Sequence, residues 1–516
     1  MVRFLVLLFA LLAAPALAAV SAASPDGRLV VAVETDGDGR PAWSLARDGK
    51  PVIAPSRLGF ILANAPKLER NLAIAGTSRR SADTTWEQPW GERRFVRDHF
   101  NELTVDLAEA KASGRRFSVI FRLHDDGIGF RYRLPMAGKT AIVQELTEFA
   151  VARPGKAWWI PALEWNREEY LYRKTTISEV GIAQTPMTIR TDDGLHIAFH
   201  EAALVDYAGM NLQSAGNGVF RAALTPSATG PSVVREGPFE TPWRTLQIAD
   251  TATGLANSNL ILNLNAPNVL GDVSWVRPCR YVGIWWGMHL GIQSWASGPI
   301  HGATTENARK MIDFAAANGF CGVLIEGWNQ GWDGDWFANG EDFSFTKPYP
   351  DFDLPKVAAH ARKNGVKIIG HHETSGNIAH YESQMAAGFA LYQRLSIDAV
   401  KTGYVADAGG LKIKGPDGRI AFEWHEGQAS SRHHLKVVTE AAKHRIAINP
   451  MNRSRTPAYG APTPIGSAAK ARAAWSSTPG APGRAATPAT APNMSRRWRS
   501  RGCSPARWTI RRGSSA

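Results

Sequence analysis

Carboxylates, histidines and tryptophans recur where apolar segments end in the second half of the chain. These segments are YVGIWW, GVLIEGW, VKIIGHHE and AVKTGY. Their candidate site residues are Trp285, Trp286, Glu326, Trp328, His371, Glu373 and Lys401. A carboxylate is rarely buried without a partner or a task, pyranose faces stack on indole rings, and paired carboxylates cleave glycosidic bonds. These residue types therefore indicate a site for a sugar.

Some of these residues have a second explanation. Trp285 and Trp286 are equally well explained as core packing, because tryptophan is mostly buried in any fold. His371, His372 and Glu373 form a triplet of metal-ligand types, but it lacks the HExxH spacing and lies on a predicted strand. Side chains alternate along a strand, so His371 and Glu373 are predicted to share one face and His372 to occupy the other.

Strands and helices alternate from Tyr281 onward. The strand candidates are YVGIWWGMHLG, FCGVLIEGWN, VKIIGHHET, AVKTGYVAD and RIAIN, with helical spacing between them. This alternation predicts a parallel sheet, and polar residues at the C-terminal strand ends favour a (β/α)8 barrel. A barrel takes about 250 residues, so residues 276–449 hold five of its eight strands. The open edges predict poor folding of this segment.

Residues 19–275 have the pattern of a β-sandwich. The segments LVVAVETDG, FSVIFRLHD, GIGFRYRLP and LHIAFHEAAL alternate apolar and polar residues, with turn residues between them. The predicted fold class is therefore multidomain, a β-sandwich followed by a truncated α/β barrel.

The N-terminus predicts export. Residues 1–18 combine a basic start, an apolar run and a small-residue cleavage site, which is typical of a secretory signal and not of a membrane anchor. No lipidation cysteine follows, so a periplasmic location is expected. Of the three cysteines, Cys321 is predicted to be a buried free thiol, although a pair with Cys279 is possible.

Acidic residues disappear from the chain after Glu440. Residues 450–516 contain twelve Lys and Arg and no Asp or Glu, against 46 acids in the whole sequence. This tail carries nearly all of the net charge of +13. The rest of the chain is almost neutral, so the charge does not indicate a nucleic-acid or membrane partner. The tail is predicted to be a disordered, low-complexity segment that is read out of frame.

Several longer strings resemble glycoside hydrolase family 97, whose best-known members are exported bacterial α-glucosidases. These strings are WEQPWGE (86–92), FRLHDDGIGFRYRLP (121–135), VGIWWGMHLG (282–291), HGATTENARKMIDFAAANGF (301–320), LIEGWNQGW (324–332), PYPDFDL (348–354), GHHET (370–374) and AVKTGYV (399–405). The resemblance implies an N-terminal β-sandwich, a catalytic (β/α)8 barrel and a small C-terminal β-domain.

The resemblance also implies a mechanism. Retaining members of the family place an Asp nucleophile where this chain has Gly403, so the chain is similar to the inverting branch, in which a carboxylate base activates water. Glu373 matches a base of that branch. Glu169 matches a ligand of the calcium ion that these enzymes hold, and calcium takes six to eight oxygen ligands. The general acid, a second base and the other calcium ligands should be glutamates after strand five, where this chain has none.

A shift of the reading frame restores the expected strings. If each triplet takes the last base of one codon and the first two of the next, the tail permits a His-Glu pair, then YPNWIG, EGARGME and MDYTPG, in the family's order. We therefore expect an exo-acting, inverting, calcium-dependent α-glucosidase acting on oligosaccharides, inactive in its present frame. A non-catalytic carbohydrate-binding protein and a retaining α-galactosidase remain as alternatives.

Overall fold

The computed structural model describes residues 19–91, 93–110, 114–164, 171–405, 410–415 and 417–450. The predicted signal segment, Glu169 and the predicted disordered tail beyond Pro450 lie outside these residues. Within the described ranges, no helix is long and apolar enough to cross a membrane.

The N-terminal part is built almost entirely of strands. In chain order they are β1 (Val20–Ala23), β2 (Leu29–Thr35), β3 (Pro41–Arg47), β4 (Lys50–Arg57), β5 (Phe60–Leu62), β6 (Leu72–Glu87), β7 (Phe95–Glu109), β8 (Arg116–His124), β9 (Gly127–Leu134), β10 (Lys139–Glu145), β11 (Glu148–Val151), β12 (Gly155–Trp159), β13 (Arg173–Thr176), β14 (Ile182–Ala183), β15 (Met187–Thr191), β16 (His196–Ala202), β17 (Met210–Ser214), β18 (Val219–Leu224), β19 (Val233–Glu236), β20 (Phe239–Glu240) and β21 (Trp243–Ala249). Two short helices follow, α1 (Ala252–Ala256) and α2 (Leu260–Asn263).

These strands form two large antiparallel sheets and a small one. One sheet has the order β1-β2-β3-β4-β11-β18-β17-β14, the other β13-β12-β15-β16-β21-β9-β8-β7-β6 with β20 beside β9, and the small sheet β19-β10-β5. Alternation of buried and more exposed residues, as in β2 and β3, gives each sheet one apolar face. Trp43 of β3 packs 4.7 Å from Phe130 of β9, and Phe149 of β11 packs 5.6 Å from Phe199 of β16. The predicted β-rich N-terminal domain is confirmed.

The C-terminal part contains a five-stranded parallel sheet. Its elements in chain order are β22 (Tyr281–Ile284), α3 (Trp286–His289), α4 (Thr305–Ala317), β23 (Gly322–Ile325), α5 (Leu354–Lys363), β24 (Lys367–Glu373), α6 (Ile378–Arg394), β25 (Ala399–Gly403), β26 (Leu411–Lys414), β27 (Ile420–Glu423), α7 (Gln428–Lys443) and β28 (Ala447–Pro450). The sheet order is β22-β23-β24-β25-β28, so the five predicted strands are neighbours. The sequence pattern does not predict the hairpin β26-β27. Closure of the sheet into a barrel remains a prediction.

The expectation of a free thiol at Cys321 is wrong. Cys321 forms a disulfide with Cys279, and their Cα atoms lie 6.0 Å apart, within the range that a disulfide spans. The backbone explains this approach. The Cys321 N–H donates to the carbonyl of Arg280 (3.0 Å), which aligns the segment before β22 with the start of β23.

Gln428, the first residue of α7, joins the C-terminal part to the β domain. Its side-chain oxygen accepts from the Val234 N–H (2.8 Å), and its amide nitrogen donates to the Asp206 carboxylate (2.9 Å). The same nitrogen lies within hydrogen-bonding distance of the backbone carbonyls of Asp206 (3.0 Å) and Val234 (2.9 Å). Nearby, the Tyr207 N–H donates to Ser431 (3.3 Å), and the Gly209 N–H donates to the Glu426 carbonyl (2.8 Å). The β domain therefore holds the helix that precedes β28.

We predict that Gln428→Ala lowers the free energy of unfolding by about 1–3 kcal/mol, because it removes the side-chain acceptor of the half-buried Val234 N–H and the donor to Asp206 and Val234. Hydrogen exchange measured by mass spectrometry should become faster over residues 428–450 and stay unchanged over β2 and β3. Gln213→Ala is the matched control, since Gln213 is exposed on β17. Equal exchange in both variants would contradict the anchoring role.

Candidate active site

Parallel pairing brings the predicted site residues to one edge of the sheet. Across β24 and β25, His371 pairs with Lys401 and Glu373 pairs with Gly403. Glu326 follows directly after β23, the other neighbour of β24. Because the C-terminal ends of parallel strands meet at the same edge, these side chains converge.

Glu326 and Lys401 form a buried ion pair at this edge. The Lys401 ammonium donates to Glu326 Oε1, and His371 Nε2 lies 3.9 Å from the same oxygen. Burial disfavours the charged form of Glu326, but the pull of His371 and Lys401 outweighs it and lowers the pKa of this carboxyl. Burial lowers the pKa of His371 to about 4. His371 attracts the Glu326 carboxylate only while it is protonated, below about pH 4, so at neutral pH the positive charge beside Glu326 is that of Lys401.

Glu373 has the opposite electrostatic environment. It is 4% exposed, and burial raises its pKa to about 7. Its Oε1 accepts from the backbone N–H groups of Thr374 (3.0 Å), Ser375 (2.9 Å) and Val405 (3.0 Å), which favour the charged form without reversing the shift. A carboxyl group poised near neutral pH suits a general base or acid.

The second oxygen of Glu373 lies directly above Gly403. A Cβ atom added at Gly403 would fall 1.9 Å from Glu373 Oε2, well inside contact distance. The observed position of Glu373 is therefore compatible only with glycine at position 403.

His372 points away from this edge, as the alternation of side chains predicts. Its Nδ1 lies 3.0 Å from the Tyr381 hydroxyl of α6, and its ring stacks on Tyr392 at 5.1 Å. Burial lowers its pKa to about 3. The triplet 371–373 is therefore divided between the two faces of the sheet, and its three side chains do not converge on one metal ion.

Tryptophans occupy two different environments near the site. Trp285 and Trp286 are 36% and 59% exposed and meet edge to face at 5.3 Å, so they offer an aromatic surface beside the end of β22. Trp328 is 2% exposed, and its indole N–H donates to the His371 carbonyl (3.1 Å). It packs behind His371, so its burial does not support the predicted sugar contact.

An aromatic stack was not identified from the sequence. Trp295 stacks on Trp332 at 5.0 Å with an interplanar angle of 11°, and Trp332 stacks on His371 at 5.7 Å. His289 extends the stack, edge to face with Trp295 at 5.4 Å. The only signal in the sequence is the density of tryptophan after Glu326, which does not reveal which rings meet.

The residues that the structure describes do not form the expected calcium site. Among them, no group of three or more His, Cys, Asp or Glu side chains could hold a metal ion. Glu169 lies outside the described ranges. Calcium is therefore an expectation that rests on the family resemblance.

Comparison with known proteins assigns the family. Residues 22–267 match the family model Glycosyl-hydrolase 97 N-terminal, and residues 285–455 match the model Glycoside hydrolase 97. The chain belongs to glycoside hydrolase family 97, a family of glycosidases. The first match ends at residue 267, after the β domain, and the second begins at residue 285 and includes every candidate site residue except Glu169.

Solved and curated relatives agree with this assignment. A family 97 enzyme from Pseudoalteromonas sp. strain K8 is 48% identical over 84% of this chain and 66% of its own, with a TM-score of 0.81. It has been solved in complex with acarbose and, as a variant, with panose. The retaining alpha-galactosidase of Bacteroides thetaiotaomicron is 24% identical over 71% of this chain and 58% of its own length. A probable retaining alpha-galactosidase of Streptomyces bingchenggensis is 25% identical over 67% of this chain and 50% of its own length. The chain thus spans about half the length of the curated relatives it matches.

We predict that Glu373 makes stability depend on pH. The unfolded carboxyl loses its proton near pH 4.5, whereas the folded one keeps it to about pH 7. The free energy of unfolding should therefore fall by up to about 3 kcal/mol as pH rises from about 4.5 to about 7. Below about pH 4.5 the contribution of Glu373 should not change with pH. Denaturant unfolding at several pH values should show this loss in the wild type and not in Glu373→Gln.

Glu34→Gln serves as the control, because Glu34 is exposed on β2. Its stability should follow the wild-type dependence on pH. Parallel curves for the wild type and Glu373→Gln would show that Glu373 is ionised in the folded protein throughout this range.

Proposed function

We propose that this chain is the product of a gene for an exported, periplasmic α-glucosidase that acts from the chain end of oligosaccharides and inverts the anomeric carbon. The observation that carries the inverting assignment is the position of Glu373 above Gly403, where a Cβ atom would fall 1.9 Å from Oε2. An Asp nucleophile at position 403 and a base at Glu373 exclude each other in this geometry. This geometry supports the assignment of Glu373 as a base.

In the proposed mechanism, Glu373 accepts a proton from the attacking water. Its raised pKa makes it a stronger base than an exposed carboxylate, and its three N–H contacts hold Oε1 in place. Glu326 and Lys401 would bind sugar hydroxyls, with Trp285, Trp286 and His371 on the surrounding wall. Inversion also needs a general acid on the other side of the glycosidic bond. We assign it, with a second base, to glutamates that a shifted reading of the tail encodes.

The substrate class follows from the more similar of the relatives. The 48% identical Pseudoalteromonas enzyme was solved with acarbose and with panose, both α-linked oligosaccharides. This likeness favours an α-glucoside. The curated retaining alpha-galactosidases are less similar, at 24% and 25% identity. Calcium, held by Glu169 and by residues of the restored frame, belongs to the same proposal.

A second candidate is a sugar-binding protein without catalysis. It is favoured by the chain in its present frame, which has no Asp or Glu after Glu440 and yet presents Trp285 and Trp286 at the surface. Binding of a maltooligosaccharide without its hydrolysis would favour this candidate.

We predict that Gly403→Ala displaces Glu373. The added methyl group cannot be accommodated beside Oε2, so overpacking should lower the free energy of unfolding by about 1–3 kcal/mol. Adding Glu373→Ala should restore much of this loss, and the double-mutant cycle measured by denaturant unfolding would report the coupling. Gly37→Ala is the control, since its added Cβ would meet no atom within 4 Å. Additive effects at 403 and 373 would contradict the proposed exclusion.

The decisive test is to resequence the gene across codons 445–455 and to express the chain in the restored frame. The restored protein should hydrolyse a chromogenic α-glucoside faster than the matching α-galactoside. NMR should show the β anomer as the first product. The chain in its present frame should hydrolyse neither glycoside. Preference for the galactoside, or α anomer released first, would support the retaining alternative.

A further inference from the structure

The β domain contains a cavity that is separate from the sheet edge described above. It has a volume of about 210 Å³ and lies where the ends of β4 and β10 meet the start of β3 and β11. Its polar lining is supplied by Arg40, Arg57, Glu69, Gln144, Glu145, Glu148 and Arg221. None of the residues discussed for the sugar site lines it.

Several charged groups of the lining are already paired. Arg221 Nε donates to Glu148 Oε1 (2.9 Å), and the Arg57 backbone N–H donates to Glu148 Oε2 (3.3 Å). Glu145, at the back of the cavity, accepts from Arg244 Nε (2.9 Å) and Nη2 (2.6 Å). These pairs leave Glu145, Glu148 and Arg221 with little capacity for a ligand.

The open groups are mainly donors. Arg40 places its terminal nitrogens 3.1 Å from Asp38 and 3.9 Å from Asp36, but its buried Nε has no hydrogen-bond partner among the residues that the structure describes. Exposed Arg57 and half-buried Gln144 line the same space, and among the described residues neither side chain forms a hydrogen bond or an ion pair. A buried donor without a partner, such as Arg40 Nε, is costly. Together with the open Arg57 and Gln144 side chains at the cavity, it favours a ligand that carries an anion.

One acceptor lies among these donors. Glu69 Oε1 lies 3.4 Å from Arg70 Nη2 at the edge of the cavity, in a weak contact between neighbouring residues. Its carboxylate would repel a bare anion and accept a hydrogen bond from a hydroxyl group. The apolar part of the lining is Pro41, Leu58 and Leu146, without an aromatic ring. The cavity therefore lacks the stacking surface that suits a neutral pyranose.

We propose that this cavity binds a small polyhydroxy carboxylate of the size of a hexuronic acid. Arg57 and Arg40 bind the carboxylate, Gln144 donates to a ring or hydroxyl oxygen, and Glu69 accepts from a hydroxyl group. The volume equals that of about seven liquid water molecules at roughly 30 Å³ each, and it lies below the ~300–1,000 Å³ of pockets for larger ligands. The proposal goes beyond the glycosidase assignment and does not depend on it.

The test is isothermal titration calorimetry of the full chain, in separate titrations with D-glucuronate, D-glucose and inorganic phosphate. Saturable binding of glucuronate is expected, with no binding of glucose, which has the same ring and no carboxylate. Phosphate should bind more weakly than glucuronate. Absence of glucuronate binding, or equal binding of glucose or phosphate, would overturn the proposal.

Two substitutions separate the proposed contacts. Arg57→Ala should weaken glucuronate binding about tenfold, the usual effect of losing a hydrogen bond to a charged group. Glu69→Gln should weaken glucuronate binding, because it exchanges a charged acceptor oxygen for an amide donor, and strengthen phosphate binding, because it removes a repelling charge. Unchanged glucuronate affinity in Arg57→Ala would contradict the site.

The control is Arg190→Ala, which removes an exposed arginine of β15 outside the cavity and should leave all affinities unchanged. Thermal unfolding of each variant checks the fold. Arg57 is exposed and makes no side-chain ion pair among the described residues, so its removal should alter stability little.

Discussion

The ion pair between Glu326 and Lys401 is the interaction on which the arrangement of the strand ends depends. It links β23 to β25 across β24, and the His371 ring lies beside it. A carboxylate with 8% of its side chain exposed is costly to keep charged without such a partner. The pair therefore holds a negative charge at the sheet edge, and His371 stays neutral against Trp332.

Glu373 lies close to this pair and has the opposite character. Glu326 is held ionised by a cation, whereas Glu373 has no cation bonded to it among the described residues, and burial raises its pKa to about 7. Two carboxyl groups with separated pKa values are how a glycosidase assigns different roles to similar side chains. Gly403 makes this possible, because only a residue without Cβ leaves room for Glu373 Oε2.

The β domain contributes to the C-terminal part through contacts far apart in sequence. The loop that contains Asp206, Tyr207 and Gly209 forms hydrogen bonds with the segment from Glu426 to Ser431 at the start of α7. This helix leads into β28, the last strand of the described sheet. An otherwise open sheet thus has one end held by a separate domain.

The amino-acid pattern alone determined the family, the two-part organisation, the five strands and the gathering of Glu326, His371, Glu373 and Lys401. These depend on local periodicity and on the rule that parallel strands end at one edge. The boundary of β22, the Cys279–Cys321 disulfide and the hairpin β26-β27 could not be obtained in this way. Sequence spacing also could not separate buried Trp328 from exposed Trp286, or show that Glu373 lies over Gly403. These features depend on which distant side chains meet, and only the tertiary structure decided that.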